Sequence, residues 1–151
     1  MDDSPATAPQ RALSACRSAP LLVLAEDDDE FRALLARTLR RAGYDVAELN
    51  NGVQLLRTLV SHQLDGASSE IAMIISDIRM PGASGMDALE GINWTSWPIP
   101  VVLMTGFGDR ETHQKAAKLG AAAVIDKPFD LDELLALVTK LLHKARPACA
   151  T

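Results

Sequence analysis

The sequence predicts an α/β domain, a doubly wound five-stranded parallel sheet with helices on both faces. Three observations predict it. Five short apolar runs alternate strictly with five helical patterns along the 151 residues. The runs are continuous in Leu, Val, Ile and Ala instead of alternating with polar residues, as strands covered on both faces require. Four of them end in a carboxylate, a hydroxyl or a lysine, and open parallel sheets bind ligands beyond the carboxyl ends of their strands.

Composition agrees with that class. A chain that is 48% hydrophobic, 23% charged and only 4% aromatic is built on small aliphatic side chains, and its length suits one domain with its own core. The formal charge of -5, with no basic face, argues against direct binding of nucleic acid. Cys16 and Cys149 fall in the two tails without disulfide or zinc spacing. No apolar stretch suits a signal peptide or a membrane span, so the expectation is a cytoplasmic protein without a membrane partner.

Residues 1–20, rich in Ala, Ser and Pro, read as a disordered leader. The first strand is Leu21 to Ala25, followed at once by Glu26-Asp27-Asp28-Asp29-Glu30. Asp28, Asp29 and Glu30 suit the start of a helix, where acids satisfy free N–H groups and the dipole. That leaves Glu26 and Asp27 for chemistry. The first helix carries a stripe of Phe31, Leu34, Leu35, Thr38, Leu39 and Ala42, with Arg32, Arg37, Arg40 and Arg41 expected on a solvated face. Gly43 ends it, and Tyr44 to Leu49 is the second strand.

Asn50-Asn51-Gly52 turns the chain into a helix carrying Val53, Leu56, Leu59 and Val60, and Ser61 to Glu70 reads as a loop. The third strand, from Ile71, delivers Asp77 to its end, where Pro81-Gly82 turns the chain away. Met86, Leu89 and Ile92 mark a short helix, and Trp94 and Trp97 fall in the connection that follows, expected to pack between helix and strand. Ile99 to Met104 is the fourth strand, ending at Thr105-Gly106. A polar helix from about Asp109 to Leu119 has little to bury and is a candidate for movement. Ala121 to Ile125 is the last strand and leads into Asp126-Lys127-Pro128. Asp130 and Glu133 have the spacing of a capping box for a closing helix whose stripe is Leu131, Leu134, Leu135, Val138, Leu141 and Leu142. The domain is expected over residues 21–143, with a tail over 144–151.

Carboxylates from two strand ends suit a hard divalent cation such as Mg²⁺. Asp77 beside it has the chemistry to attack phosphorus, while Lys127 and Thr105 offer a charge and a hydrogen bond to phosphoryl oxygens. Gly106 leaves room. Taken singly, Asp77 is an ordinary turn former, Lys127 a surface lysine, Thr105 a strand residue and the acids helix caps. All four ordinary readings would have to hold together.

The pieces Leu-Val-Leu-Ala-Glu-Asp-Asp (22–28), Ser-Asp-Ile-Arg-Met-Pro-Gly (76–82), Val-Leu-Met-Thr-Gly (102–106) and Asp-Lys-Pro-Phe (126–129), in this order and spacing, resemble the receiver domain of two-component response regulators. The resemblance implies a flavodoxin-like (βα)5 fold with strand order 2-1-3-4-5. It also implies that Asp77 is the phosphoacceptor, served by a histidine kinase or a histidine phosphotransfer protein. Glu26, Asp27, Asp77 and the backbone carbonyl of Arg79 would hold Mg²⁺. Thr105 would be the switch hydroxyl, Gly106 its neighbour, and Lys127 the phosphate-sensing residue before a candidate cis Pro128.

Two positions depart from the family pattern. Glu26 stands where Asp is common, with an arm long enough to reach a metal. Val124 stands where an aromatic ring is common, so a switch in which a ring follows the hydroxyl inward cannot operate in that form. With no second domain after residue 143, the output is expected to pass to a downstream protein, with a candidate homodimer through the last strand and the last two helices. A scaffold that works without phosphorylation is the alternative. A phosphohydrolase of the haloacid dehalogenase type fits poorly, because Asp77-Ile78-Arg79 lacks that family's second aspartate and the acidic pair comes first in the chain.

Overall fold

The computed structural model describes residues 19–64, 71–95, 99–106 and 108–145. Residues 1–18 of the leader, both cysteines, Trp97 and the last residues of the tail lie outside them. In chain order the elements are β1 (Leu21–Ala25), α1 (Asp29–Arg41), β2 (Asp45–Leu49), α2 (Gly52–Leu64), β3 (Ile71–Asp77), α3 (Gly85–Thr95), β4 (Val101–Thr105), α4 (Arg110–Lys118), β5 (Ala123–Asp126) and α5 (Leu131–Ala145). All the strand pairs are parallel, in the order β2-β1-β3-β4-β5. This is the flavodoxin-like order that the resemblance implied.

The sheet separates two apolar layers. Val23, Ile74 and Leu103 face one side and pack with Leu55, Leu59, Leu89, Ile92 and Ala116 from α2, α3 and α4. Leu22, Leu24, Ile75 and Met104 face the other and pack with Leu35, Leu39, Leu134 and Val138 from α1 and α5. The period-two alternation of a strand feeds both layers at once, which explains why these strands read as unbroken apolar runs.

Local chemistry fixes the helix ends. The Asp28 carboxylate accepts the Phe31 N–H at 3.0 Å and Asp109 accepts that of Thr112 at 2.8 Å, while Asn51 accepts that of Gln54 at 2.8 Å. Gly43, at φ +103°, takes the left-handed position after the C-cap of α1. Gly85 is required by close approach, since a Cβ there would lie 2.7 Å from the Asp77 carbonyl oxygen. Its absence lets α3 start directly against the end of β3.

Several expectations are corrected. Leu34 is 39% exposed, and Ala36 takes its place in the buried face of α1 with Leu35 and Leu39. On α2 the buried pair is Leu55 and Leu59, whereas Val53 and Val60 are exposed. In both helices one apolar stripe was as periodic as its neighbour, and only the position of the sheet selects between them. α2 runs on through Ser61 and His62 to Leu64, shortening the expected loop, and α3 runs through Trp94 to Thr95. β2, β4 and β5 each start later than the apolar runs, at Asp45, Val101 and Ala123, where parallel pairing begins. α5 extends to Ala145, into the expected tail. Arg32 and Arg40 are not simply solvated: Arg32 donates to the Glu26 carbonyl at 2.8 Å, and Arg40 pairs with Glu48 at 2.9 Å.

Candidate functional site

Register places the polar strand ends side by side. Ala25 pairs with Ser76, Asp77 with Met104, and Thr105 with Asp126, so the residues at the carboxyl ends of β1, β3, β4 and β5 meet at one rim. Glu26 is 1% exposed there, Thr105 3% and Asp77 7%; Asp27 is exposed. Ionisable side chains this deep require partners.

Lys127 supplies them. Its Nζ donates to Glu26 Oε1 at 2.8 Å and to Asp77 Oδ2 at 2.5 Å. Backbone amides hold the other oxygen of each carboxylate: Asp28 N–H donates to Glu26 Oε2 at 3.1 Å, and Arg79 N–H to Asp77 Oδ1 at 3.1 Å. Ser76 Oγ donates to the Asp77 carbonyl at 2.9 Å, and the Lys127 N–H donates to the Thr105 carbonyl at 2.8 Å, tying the lysine loop to the end of β4. The Lys127–Pro128 peptide bond is cis.

The electrostatics of the basin are strained toward a cation. Burial pushes the Glu26 carboxyl up to about 7, with the Asp77 charge adding to the rise and hydrogen bonds from Lys127 and Asp28 opposing it. Burial alone would pull Lys127 down, but its bonds to Asp77 and Glu26 outweigh it and hold the ammonium above its ordinary value. Glu26, Asp27 and Asp77 each bring one carboxylate oxygen within 4.8 Å of the others. An all-oxygen donor set of this kind fits a hard cation such as Mg²⁺, which would relieve the repulsion among the three acids.

The remaining residues form the margin. Thr105 lines a groove of about 420 Å³ between the start of α3 and α4, together with Arg79, Asp87, Glu90, Asp109 and Lys115. Gly106 is exposed, and a Cβ there would meet nothing within 4 Å. Val124 is half-buried against the layer that holds Leu103 and Ala116. Three features escaped the sequence. Arg32 reaches back from α1 to the Glu26 carbonyl and also pairs with Asp29 and Glu48. His113 Nε2 meets Asp126 Oδ1 at 2.9 Å, joining α4 to the end of β5. The Phe31 ring lies 5.0 Å from Lys127 Nζ. Only Arg32 had a signal, its three-residue spacing from Asp29 on one helix face.

The family described as the response regulator receiver domain matches residues 22–139. The chain is 35% identical over 117 residues to the DNA-binding transcriptional regulator NtrC of Escherichia coli K12, covering 78% of this chain and 24% of that protein. It is 33% identical over 123 residues to the transcriptional regulatory protein FixJ of Bradyrhizobium diazoefficiens, covering 82% of this chain and 57% of the relative. The chain thus spans about a quarter of NtrC and little more than half of FixJ. Among solved structures, the signal receiver domain of a LuxO repressor protein from Vibrio parahaemolyticus superposes with a TM-score of 0.77 at 25% identity, covering 86% of this chain and 95% of that one.

Proposed function

The chain belongs to the response regulator receiver domain family, and from that premise we propose that Asp77 accepts a phosphoryl group from a histidine kinase or a histidine phosphotransfer protein. The observation that carries this reading is the single ammonium shared by Asp77 and Glu26 at the sheet rim. It supports the reading because a carboxylate with the chemistry to attack phosphorus, a second acid and an ammonium able to bind a phosphoryl oxygen share one basin.

In the transfer, an Asp77 carboxylate oxygen forms a bond to phosphorus as the donor's phosphorus–nitrogen bond breaks. The electron pair returns to the donor imidazole, which leaves as a neutral base on gaining a proton. Mg²⁺ bound by Glu26, Asp27, Asp77 and the Arg79 carbonyl would neutralise the acids and withdraw charge from the phosphoryl oxygens. The Arg79 amide, already bonded to Asp77 Oδ1, fixes the carboxylate plane. Lys127 gives its charge to a phosphoryl oxygen, and Thr105 offers its hydroxyl from the next strand end.

The signal would leave through Thr105, the groove beneath it and α4. With Val124 in place of a ring, the movement passes through the loop at Gly106 and the polar helix instead of through a rotating aromatic side chain. The reader of that change is a partner protein or a second copy of the chain, on the face made by α4, β5 and α5. Incubation with acetyl phosphate and Mg²⁺ should label the wild type and leave Asp77→Asn unlabelled. Equal labelling of the two would remove Asp77 as the acceptor.

A further inference from the structure

Two of the three donors of the Lys127 ammonium go to carboxylates, and the ammonium also lies over an aromatic face. Nζ is 5.0 Å from the centroid of Phe31, inside the range in which a ring quadrupole attracts a cation. That ring is itself held. Phe31 and Phe129 meet edge to face, with centroids 5.8 Å apart and planes at 62°. The Phe31 backbone is fixed in the first turn of α1 by its N–H to the Asp28 carboxylate at 3.0 Å, and Phe129 lies two residues past Lys127. Both rings are half-buried against the layer under α1 and α5. The start of α1 and the loop after β5 are thereby clamped around the lysine stem.

Resting on the acceptor reading above, we propose that Phe31, braced by Phe129, is the positioning residue for Lys127 in phosphoryl transfer, holding the ammonium over the basin while it exchanges one acceptor oxygen for another. In the resting chain the ammonium is bonded to Asp77 Oδ2 and Glu26 Oε1. Esterification of Asp77 removes the charge from that carboxylate and puts new negative oxygens beside it. The lysine must change partners, and its flexible four-carbon stem offers many places to go. The ring face takes no part in that exchange, since the quadrupole attracts the ammonium whichever oxygen it bonds. A leucine at residue 31 would cover the same apolar layer without attracting a cation, so packing and positioning are separable.

Two measurements test this. In the metal-free chain, the ε-methylene protons of Lys127 should resonate upfield through the ring current of Phe31, keep that shift in Phe31→Tyr and lose it in Phe31→Leu. An unshifted signal in the wild type would overturn the proposal without reference to any phosphoryl chemistry. With saturating Mg²⁺, binding of beryllofluoride, a phosphoryl mimic, should weaken roughly five-fold in Phe31→Leu and recover in Phe31→Tyr. The same leucine should have no further effect in a Lys127→Ala background. Pentafluorophenylalanine in place of Phe31, which keeps the shape and reverses the quadrupole, should weaken binding at least as much as leucine. Wild-type affinity in Phe31→Leu, or an equal loss in the leucine variant with Lys127 absent, would overturn the role of Phe31 alone. A wild-type chain that bound no beryllofluoride would overturn the acceptor reading and this proposal with it.

Discussion

The middle and the edge of the sheet are built to different standards. β3 is buried at all seven positions, whereas β5, four residues long at the sheet edge, is half-buried at three and exposed at the last. The helices that accompany them differ in the same way. α1 buries Leu35, Ala36 and Leu39, and α4 buries Ala116 alone. The chemistry proposed for Asp77 would need carboxylates that do not wander, and a central strand covered on both faces supplies that. A surface that must change when the site changes needs elements whose displacement costs little, and a helix with one small buried side chain supplies that. The regions are joined by the β4–β5 ladder, by Lys127 N–H to the Thr105 carbonyl, and by the Lys127 ammonium on Asp77 and Glu26.

The largest expected effect comes from the middle. Leu103 is fully buried, and Leu103→Ala should cost about 2–5 kcal/mol in urea unfolding. Val124→Ala, half-buried on the edge strand, should cost about 1 kcal/mol. Equal costs would erase the distinction between the two regions.

A second effect follows from the raised Glu26. Its unfolded value is near 4.5 and its folded value about 7, so between those pH values the folded chain keeps a proton that the unfolded chain releases. Stability from this group is therefore complete below pH 4.5, falls as pH rises through the window and levels off above 7. The loss is on the order of 3 kcal/mol. Glu26→Gln should flatten the dependence, being more stable than the wild type at pH 8 and close to it at pH 5. A wild-type urea midpoint that rose from pH 5 to pH 8, or an unchanged slope in the variant, would contradict the burial account.

The smallest effect belongs to the edge. His113 and Asp126 are both partly exposed, and His113→Ala should cost about 0.2–1 kcal/mol. Hydrogen exchange should quicken in α4 and β5 while β1 and β3 keep wild-type protection. Quickening spread evenly over the sheet would show that the two regions are not independent.

The same contrast governs what the sequence disclosed. Central strands are visible because burial on both faces leaves an unbroken apolar run, and Asp77 and Lys127 stand out because such runs end on them. The helix cap at Asp28 is visible because a cap is a local affair of three or four residues. Burial of Leu55 instead of Val53 was not visible, because periodicity defines a stripe without saying where the sheet lies. Nor were the contacts between distant segments: Phe31 with Phe129, and His113 with Asp126, join residues whose types carry no mutual signature. Arg32 was assigned to solvent for its charge, although Asp29, three residues before it on the same helix face, offered a partner.

The acceptor assignment has a direct chemical test, because borohydride reduces an acyl phosphate to the alcohol and converts a phosphorylated aspartate to homoserine. After treatment with acetyl phosphate and Mg²⁺, reduction and peptide mass spectrometry should find homoserine at residue 77 and nowhere else. Homoserine at residue 27 or 28, or none with the chain folded and Mg²⁺ bound, would contradict the account.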